Sequence, residues 1–343
     1  MSKTPVSALG EFGLIEKISE WVTLKDSDVL KSIGDDAAVF HPAEGMEQLI
    51  STDCLVEGIH FDLTYQSLRH LGYKSVAVNV SDIYAMNGTP QYITLALALP
   101  QKITVELLEE FYAGVHLACK DFHVAVIGGD LSASSGNMFI SVTVTGFANR
   151  DEIVYRNGAK PGDLIVVSGN PGRSFAGLKV LIREKEFYLS DPENFAPTLD
   201  RHSWVIERHL APKPRTEVLS WLNQKRVKPT AMIDLSDGLA GDLFHICKQS
   251  GVGAVLDELS LPVTEPIRSV AEQFDEESTK WALFGGEDYE LLFTVNPEWR
   301  LIIESNDELT IIGEITDQTE TMLLREAEGD ETEIEKQGWN HFN

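Results

Sequence analysis

A chain of 343 residues is long for a single hydrophobic core and predicts two domains. With 43% hydrophobic and 24% charged residues it has the composition of a soluble globular protein, and no large disordered region is expected. The net charge of −26 argues against DNA or RNA as a main partner, because phosphate backbones want Lys/Arg patches, and any phosphate ligand of so acidic a chain would need metal ions as a bridge.

In chain order, Leu14, Ile15, Ile18, Trp21 and Val22 are spaced as one face of a short helix. A glycine turn at Gly34 leads into a strand over residues 37–40, and residues 49–56 read as a second strand. The apolar positions Leu68, Leu71, Val76, Val80 and Ile83 predict a helix over residues 67–86, which the breakers Asn87, Gly88 and Pro90 end. Residues 92–99 suit a buried strand. Residues 104–119 suit an amphipathic helix with Thr104 as N-cap. A strand over 124–127 is expected to stop at Gly128-Gly129-Asp130, and the alternation over 138–147 predicts a half-buried strand.

A domain boundary is expected near residue 150, giving domains 1–150 and 151–343. Strand 164–168 and helix 174–183 follow, then a polar segment, 185–200, that reads as a loop or variable insertion. Next come helix 215–223, strand 230–235, a helix from Gly238 to Gln249, strand 252–256, helices 266–274 and 278–283, and strands 291–295 and 309–315. Strands and helices interleave throughout, so the fold class is α/β or α+β. Asn79-Val-Ser-Asp82 and Asp234-Leu-Ser-Asp237 are similar elements, one in each half.

The chemistry concentrates in carboxylates at turns and element ends. Asp35 and Asp36 adjoin Gly34, and two neighbouring anions are costly unless a cation or strong donors sit beside them. Asp53, Asp82, Asp130, Asp234, Asp237 and Glu287 occur in similar settings. Each alone also fits a plain turn or a helix cap: Asp-Gly pairs favour turns, and Ser236-Asp237-Gly238 could simply cap a helix. Their recurrence where strands end, the usual place for ligands in α/β folds, supports convergence on Mg²⁺ ions holding a nucleoside triphosphate. A helix N-terminus at Ser236 could also receive a phosphate. The chain lacks an EF-hand loop, a G-x-x-x-x-G-K-[ST] phosphate loop, the protein-kinase motifs, a G-x-S-x-G elbow and an H-E-x-x-H zinc helix. A His60 among apolar residues and a Trp339 near the end are as readily structural as functional.

Cys54, Cys119 and Cys247 form no C-x-x-C pattern and read as free thiols in a reducing compartment. Residues 1–9 lack the form of a signal peptide, and the apolar run 92–100 is too short to span a bilayer. A cytoplasmic location and no membrane partner are therefore expected.

Taken in order, Gly10-Glu-Phe12, Ile33-Gly-Asp-Asp36, Ile50-Ser-Thr-Asp53, Gly58-Ile-His-Phe61, Ala77-Val-Asn-Val-Ser-Asp82, Ile127-Gly-Gly-Asp130, Gly158-Ala-Lys-Pro-Gly-Asp163, Ile233-Asp-Leu-Ser-Asp-Gly-Leu239, Gly285-Gly-Glu-Asp-Tyr-Glu-Leu291 and Gly338-Trp-Asn-His-Phe342 resemble the motifs of the thiamine-monophosphate kinase family. The resemblance implies the two-domain fold of aminoimidazole ribonucleotide synthetase and selenophosphate synthetase. There, an N-terminal α/β domain binds ATP and Mg²⁺ and pairs in a homodimer, and a C-terminal α/β domain packs beside it. It implies the reaction of ATP with thiamine monophosphate to give thiamine diphosphate and ADP. By position, Asp36, Ser51, Thr52, Asp53, Asp82, Asp130, Asp234 and Asp237 would form the shell of several Mg²⁺ ions. Gly129, Asp130, Arg156 and Ser236 would touch ATP; His60, Glu287 and Trp339 would hold thiamine monophosphate. Trp339 could stack on a cationic thiazolium, and Glu287 could offset its charge. No covalent nucleophile is implied. Residues 184–200 match nothing in the family, and Asp35 is the less certain member of its pair.

Two rivals stand beside this reading. The first is an ATP-dependent synthetase of the same fold that activates an amide or carries selenium; its selenium branch expects a reactive Cys or selenocysteine in an N-terminal Gly-rich loop, and residues 1–30 contain no Cys. A non-catalytic nucleotide- or metal-binding regulator would show no ATP turnover dependent on thiamine monophosphate.

Overall fold

The computed structural model describes residues 4, 17–18, 20–22, 29–31, 39–40 and 44–334. Gly34, Asp35, Asp36 and Trp339 lie outside the described residues, as do the motifs at 10–12 and 338–342. The fold is a two-domain α/β arrangement, dividing into Met1–Ile83 with Gly88–Asp151, and Tyr84–Asn87 with Glu152–Asn343.

In the first unit, alternation sets the sheet. Strand β1 (Val29–Lys31) pairs with β2 (Val39–Phe40) in a small antiparallel ribbon. The larger sheet contains β3 (Glu47–Val56), β4 (Thr89–Pro100), β5 (Ala125–Ser134) and β6 (Phe139–Ala148), in the order β3-β6-β4-β5. The β4–β5 pair is parallel; β3–β6 and β4–β6 are antiparallel. In β6, Ile140, Val142 and Val144 are buried while Phe139, Ser141 and Thr143 face the other way, the period of two expected of a half-buried strand. Helix α1 (Leu68–Ala85) and helix α2 (Val105–Phe122) belong to this unit's core, with Leu71, Val76, Val80, Leu108 and Phe111 buried. Thr104 caps α2, its side chain accepting from the Leu107 N–H at 3.4 Å. The two helices touch backbone to backbone. A methyl on Gly72 would meet the Phe111 carbonyl at 1.9 Å, and one on Gly114 would meet the Arg69 carbonyl at 1.9 Å.

In the second unit five strands are mostly apolar and buried. These are β7 (Leu164–Ser168), β8 (Ala231–Asp234), β9 (Gly253–Asp257), β10 (Leu291–Val295) and β11 (Leu309–Thr316), and β12 (Met322–Arg325) and β13 (Glu331–Glu333) complete the order β13-β12-β9-β11-β7-β10-β8. Only β9–β12 pairs in parallel. Fully buried runs such as Leu164–Val167 and Leu291–Val295 imply cover on both sheet faces. The helices are α3 (Arg173–Ser190), α4 (Ser203–Leu210), α5 (Thr216–Lys225), α6 (Leu239–Ser250), α7 (Glu265–Gln273), α8 (Ser278–Phe284) and the short α9 (Arg300–Ile303).

Three local expectations change. The strand before Gly128-Gly129-Asp130 does not stop there; β5 continues to Ser134 along β4. Residues 185–190 continue helix α3 rather than forming a loop, and α4 follows where no helix was expected. Its eight residues include the polar Glu207, Arg208 and His209, which dilute the apolar signal. Strands β12 and β13 extend the sheet beyond residue 315.

Candidate functional site

Two clusters of carboxylates contain the residues singled out from the sequence, one in each unit. In the first unit, Ser51 and Asp53 stand two residues apart on β3, so they share a face. Asn79 and Asp82 stand three apart on α1, so they also share one. The two faces meet. The Ser51 hydroxyl donates to an Asp82 carboxylate oxygen, and the Asp53 N–H donates to Asn79 Oδ1 at 3.0 Å. Asn79, 1% exposed, in turn donates from Nδ2 to the Ser75 carbonyl at 2.9 Å, which locks its orientation. Burial, and then the neighbouring Asp82 charge, push the Asp53 carboxyl from 3.8 up to about 7.

Thr52 and Asp130 lie on the opposite face of the same sheet. Thr52 opposes Thr143, with their hydroxyls 3.0 Å apart, and also donates to the Val142 carbonyl at 3.0 Å. Asp130 pairs in register with Ala96, and Ala96 with Ser141, which opposes Cys54, not Asp53. Gly129 pairs with Leu95; a Cβ there would come within 2.2 Å of the Leu95 carbonyl, so close strand packing alone requires glycine. His60 sits in the turn after β3. Its Nδ1 accepts the Val56 N–H at 3.0 Å, which places the proton of the neutral ring on Nε2.

In the second unit, β8 delivers Asp234, 2% exposed, and the chain continues through Ser236 and Asp237 into α6. Asp237 is partly exposed, and its N–H donates to Asp242 Oδ2 at 3.2 Å. Asp242, 1% exposed in the first turn of α6, has its carboxyl raised well above the ordinary range by burial first, and then by Asp234 and Asp237, with Arg156 pulling the other way. The exposed Arg156 guanidinium is thus within electrostatic reach of this cluster. Beside Ser236 runs the turn over residues 285–290. The Glu287 N–H donates to the Ser236 carbonyl and the Tyr289 N–H to the Leu235 carbonyl, each at 2.8 Å. Glu287 (φ 64°) and Tyr289 (φ 51°) both occupy the left-handed region, an uncommon backbone for side chains that have a Cβ. Between them Asp288, 1% exposed, accepts the Gly172 and Ser174 N–H groups at 2.6 and 2.7 Å and so caps α3 from a distance. Burial pushes the Asp288 carboxyl up to about 7, against the pull of those two donors.

Asn79, Asp242 and Asp288 are the residues that reading for carboxylate motifs left unassigned. A signal existed for two of them. Asp242 falls one helical turn past Asp237, where a carboxylate can reach back to a free N–H, and Asn79 heads the same four-residue element as Asp82.

Among the described residues no group of three or more His, Cys, Asp or Glu side chains is arranged to hold a metal ion. The donor chemistry still suits Mg²⁺, which takes one or two carboxylates and completes its shell with water and phosphate oxygens. The Asp53–Asp82 pair fits that demand, since a cation would stabilise the ionised form of a carboxyl that burial, and then the Asp82 charge, push up. No helix among the described residues is long and apolar enough to cross a membrane.

Sequence profiles of AIR synthase related proteins match the chain twice, the N-terminal domain over residues 34–148 and the C-terminal domain over residues 160–324. The thiamine-monophosphate kinase of Bacillus subtilis (strain 168) is 35% identical over 339 residues, covering 97% of this chain and 100% of that protein. The crystal structure of thiamine-monophosphate kinase from Stenotrophomonas maltophilia K279a superposes with a TM-score of 0.77 at 33% identity, covering 94% of this chain and 98% of that one. AaThiL complexed with AMPPCP and TMP gives 0.75 at 35% identity, covering 98% of each chain.

Proposed function

The chain belongs to the thiamine-monophosphate kinase family of AIR synthase related proteins, and from that premise we propose that it moves the γ-phosphoryl group of ATP directly, in line and with Mg²⁺, onto thiamine monophosphate. The enzyme is an ATP-dependent phosphotransferase whose acceptor is itself a phosphate group. The observation that carries the reading is the side-by-side placement of Asp53 and Asp82, where burial first and then the neighbouring charge push the Asp53 carboxyl up to about 7, a setting in which a bound cation would offset the charge.

Asp36, Ser51, Thr52, Asp53, Asp82, Asp130, Asp234 and Asp237 are the proposed ligands of several Mg²⁺ ions, and the side chains of Thr52 and Asp130, on the sheet face opposite Ser51 and Asp53, serve a different ion from that pair. Bound there, the metal supplies charge neutralisation for the triphosphate and its transition state. Asn79 and Asp242 hold Asp53 and Asp237 in place through their backbone N–H groups. Gly129, Asp130, Arg156 and Ser236 are assigned to ATP; Arg156 has the exposure and charge to meet a phosphate. His60 offers its Nε2–H to the acceptor phosphate. Glu287 faces the thiazolium cation, and Trp339 stacks on it. An oxygen of thiamine monophosphate bonds to the γ-phosphorus as the bond from that phosphorus to the bridging oxygen breaks, and ADP leaves. The attacking oxygen is already anionic near neutral pH, so the residues need only position and neutralise; no side chain has to take a proton. We also infer a homodimer formed through the open face of the N-terminal sheet, where Ile50 is 72% and Phe139 36% exposed. Sedimentation of the purified chain checks it, and a monomer at all concentrations rejects it.

The test of function is ADP release with ATP, thiamine monophosphate and Mg²⁺, each omitted in turn. Turnover that needs all three supports the proposal; ADP release indifferent to thiamine monophosphate overturns it. Chirally labelled γ-phosphate should invert once in the product, and retention would refute direct transfer.

A further inference from the structure

His209 is a histidine that the reaction above does not use, and it is 1% exposed on α4. Its burial follows from the way α4 meets α3. A Cβ on Gly177 would lie 2.4 Å from the Val205 carbonyl, so the helices approach backbone to backbone, with Val205, Ile206 and Leu210 inside. That approach brings His209 Nδ1 to 3.2 Å from Ser174 Oγ in the first turn of α3, and to 3.4 Å from Glu287 Oε2. A carboxylate only accepts, so the Glu287 contact is a hydrogen bond in the form of the ring that carries its proton on Nδ1, with the Ser174 hydroxyl beside it.

Glu287 needs such an anchor. Its backbone is left-handed, it sits in a turn, and its side chain is 25% exposed, so solvent competes for the carboxylate. Ser174 is itself fixed, because its N–H donates to Asp288 Oδ1 at 2.7 Å and Asp288 is the next residue after Glu287. Ser174, His209, Glu287 and Asp288 therefore close a ring of contacts tying the start of α3 and the end of α4 to the turn.

We infer that His209 is a positioning residue for thiamine monophosphate: it holds the Glu287 carboxylate, oriented by Ser174, so that the remaining oxygen faces the cationic ring of the substrate. The inference rests on the reading that Glu287 meets that ring. A residue that merely fills the core would affect folding, or both substrates alike. One that aims Glu287 affects a single substrate.

The experiment measures kcat and both KM values in full-length variants. Glu287→Ala should raise KM for thiamine monophosphate about tenfold or more with KM for ATP little changed. His209→Leu should shift the same KM in the same direction, and His209→Asn, whose amide can donate near the Nδ1 position, should restore most of the loss. The double variant His209→Leu/Glu287→Ala should be no worse than Glu287→Ala alone. If His209→Leu does not fold, Ser174→Ala serves in its place, with a smaller shift in the same KM. Additive losses, or equal changes in both KM values, overturn the role of His209 while Glu287 keeps its own. An unchanged KM in Glu287→Ala removes the premise and the inference together.

Discussion

Replacing Asp53 with Asn should stabilise the metal-free protein while destroying its activity. Burial and the Asp82 charge move the Asp53 carboxyl from 3.8 to about 7 in the fold. A group whose folded pKa is raised favours the fold below its unfolded pKa, and that benefit is lost as pH climbs to the folded value. At about pH 8 the ionised carboxylate thus weighs against the native state, by roughly 4 kcal/mol if each tenfold change in acidity is worth about 1.4 kcal/mol. Asp53 is only partly buried, and solvent screening trims this to about 2–4 kcal/mol. The neutral amide of the Asp53→Asn variant would carry no such charge. In chelator, urea unfolding should show the variant more stable than the wild type at about pH 8, with the gap closing toward about pH 4. Added Mg²⁺ should stabilise the wild type more than the variant. A variant no more stable than the wild type at the higher pH, in chelator, would refute the claim that this carboxylate is held there at a cost.

Glu290, 1% exposed, binds Arg208 Nη2 at 2.7 Å, Arg215 Nη2 at 2.8 Å and Nε at 2.5 Å, and accepts the Ser168 hydroxyl at 2.6 Å. Glu290→Gln leaves two largely buried guanidinium groups without this anion and should cost about 3–5 kcal/mol in chemical denaturation; a loss below about 1 kcal/mol would show that water or another acid replaces it. Gly72→Ala and Gly114→Ala each drive a methyl into a facing helix carbonyl, and each should cost about 1–3 kcal/mol or more, read as a lower melting temperature; neutral variants would mean that the α1–α2 crossing yields easily.

Much of the fold was legible because its signals are local. Alternation gave β6, the spacing of Leu68, Leu71, Val76, Val80 and Ile83 gave α1, and Thr104 marked the start of α2. Helix α4 was missed because half of what makes it stable is not local. Arg208 is buried against Glu290, and His209 against Ser174, so polar residues occupy positions where a sequence reading looks for apolar ones. The same reason hid Asp288, whose acceptors for α3 become meaningful only once residues 172–174 are brought to it.

The carboxylates were legible as a set, but not the sides on which they stand. Residues Ser51, Thr52 and Asp53 are consecutive on a strand, so a period of two already separates Thr52 from its neighbours. Asp130 is subtler. Strand β5 pairs Val126 with Ile93 but Gly128 with Thr94, so one extra residue, Ile127, is accommodated between them. Without that irregularity Asp130 would pair with Leu97 and share the face of Asp53; with it, Asp130 pairs with Ala96 and faces the other way. A one-residue slip inverts every side chain beyond it. Gly128 and Gly129 are therefore more than a flexible spacer before an acid: the register change just before them sets the face on which Asp130 is presented, and no count of residues along the chain encodes that.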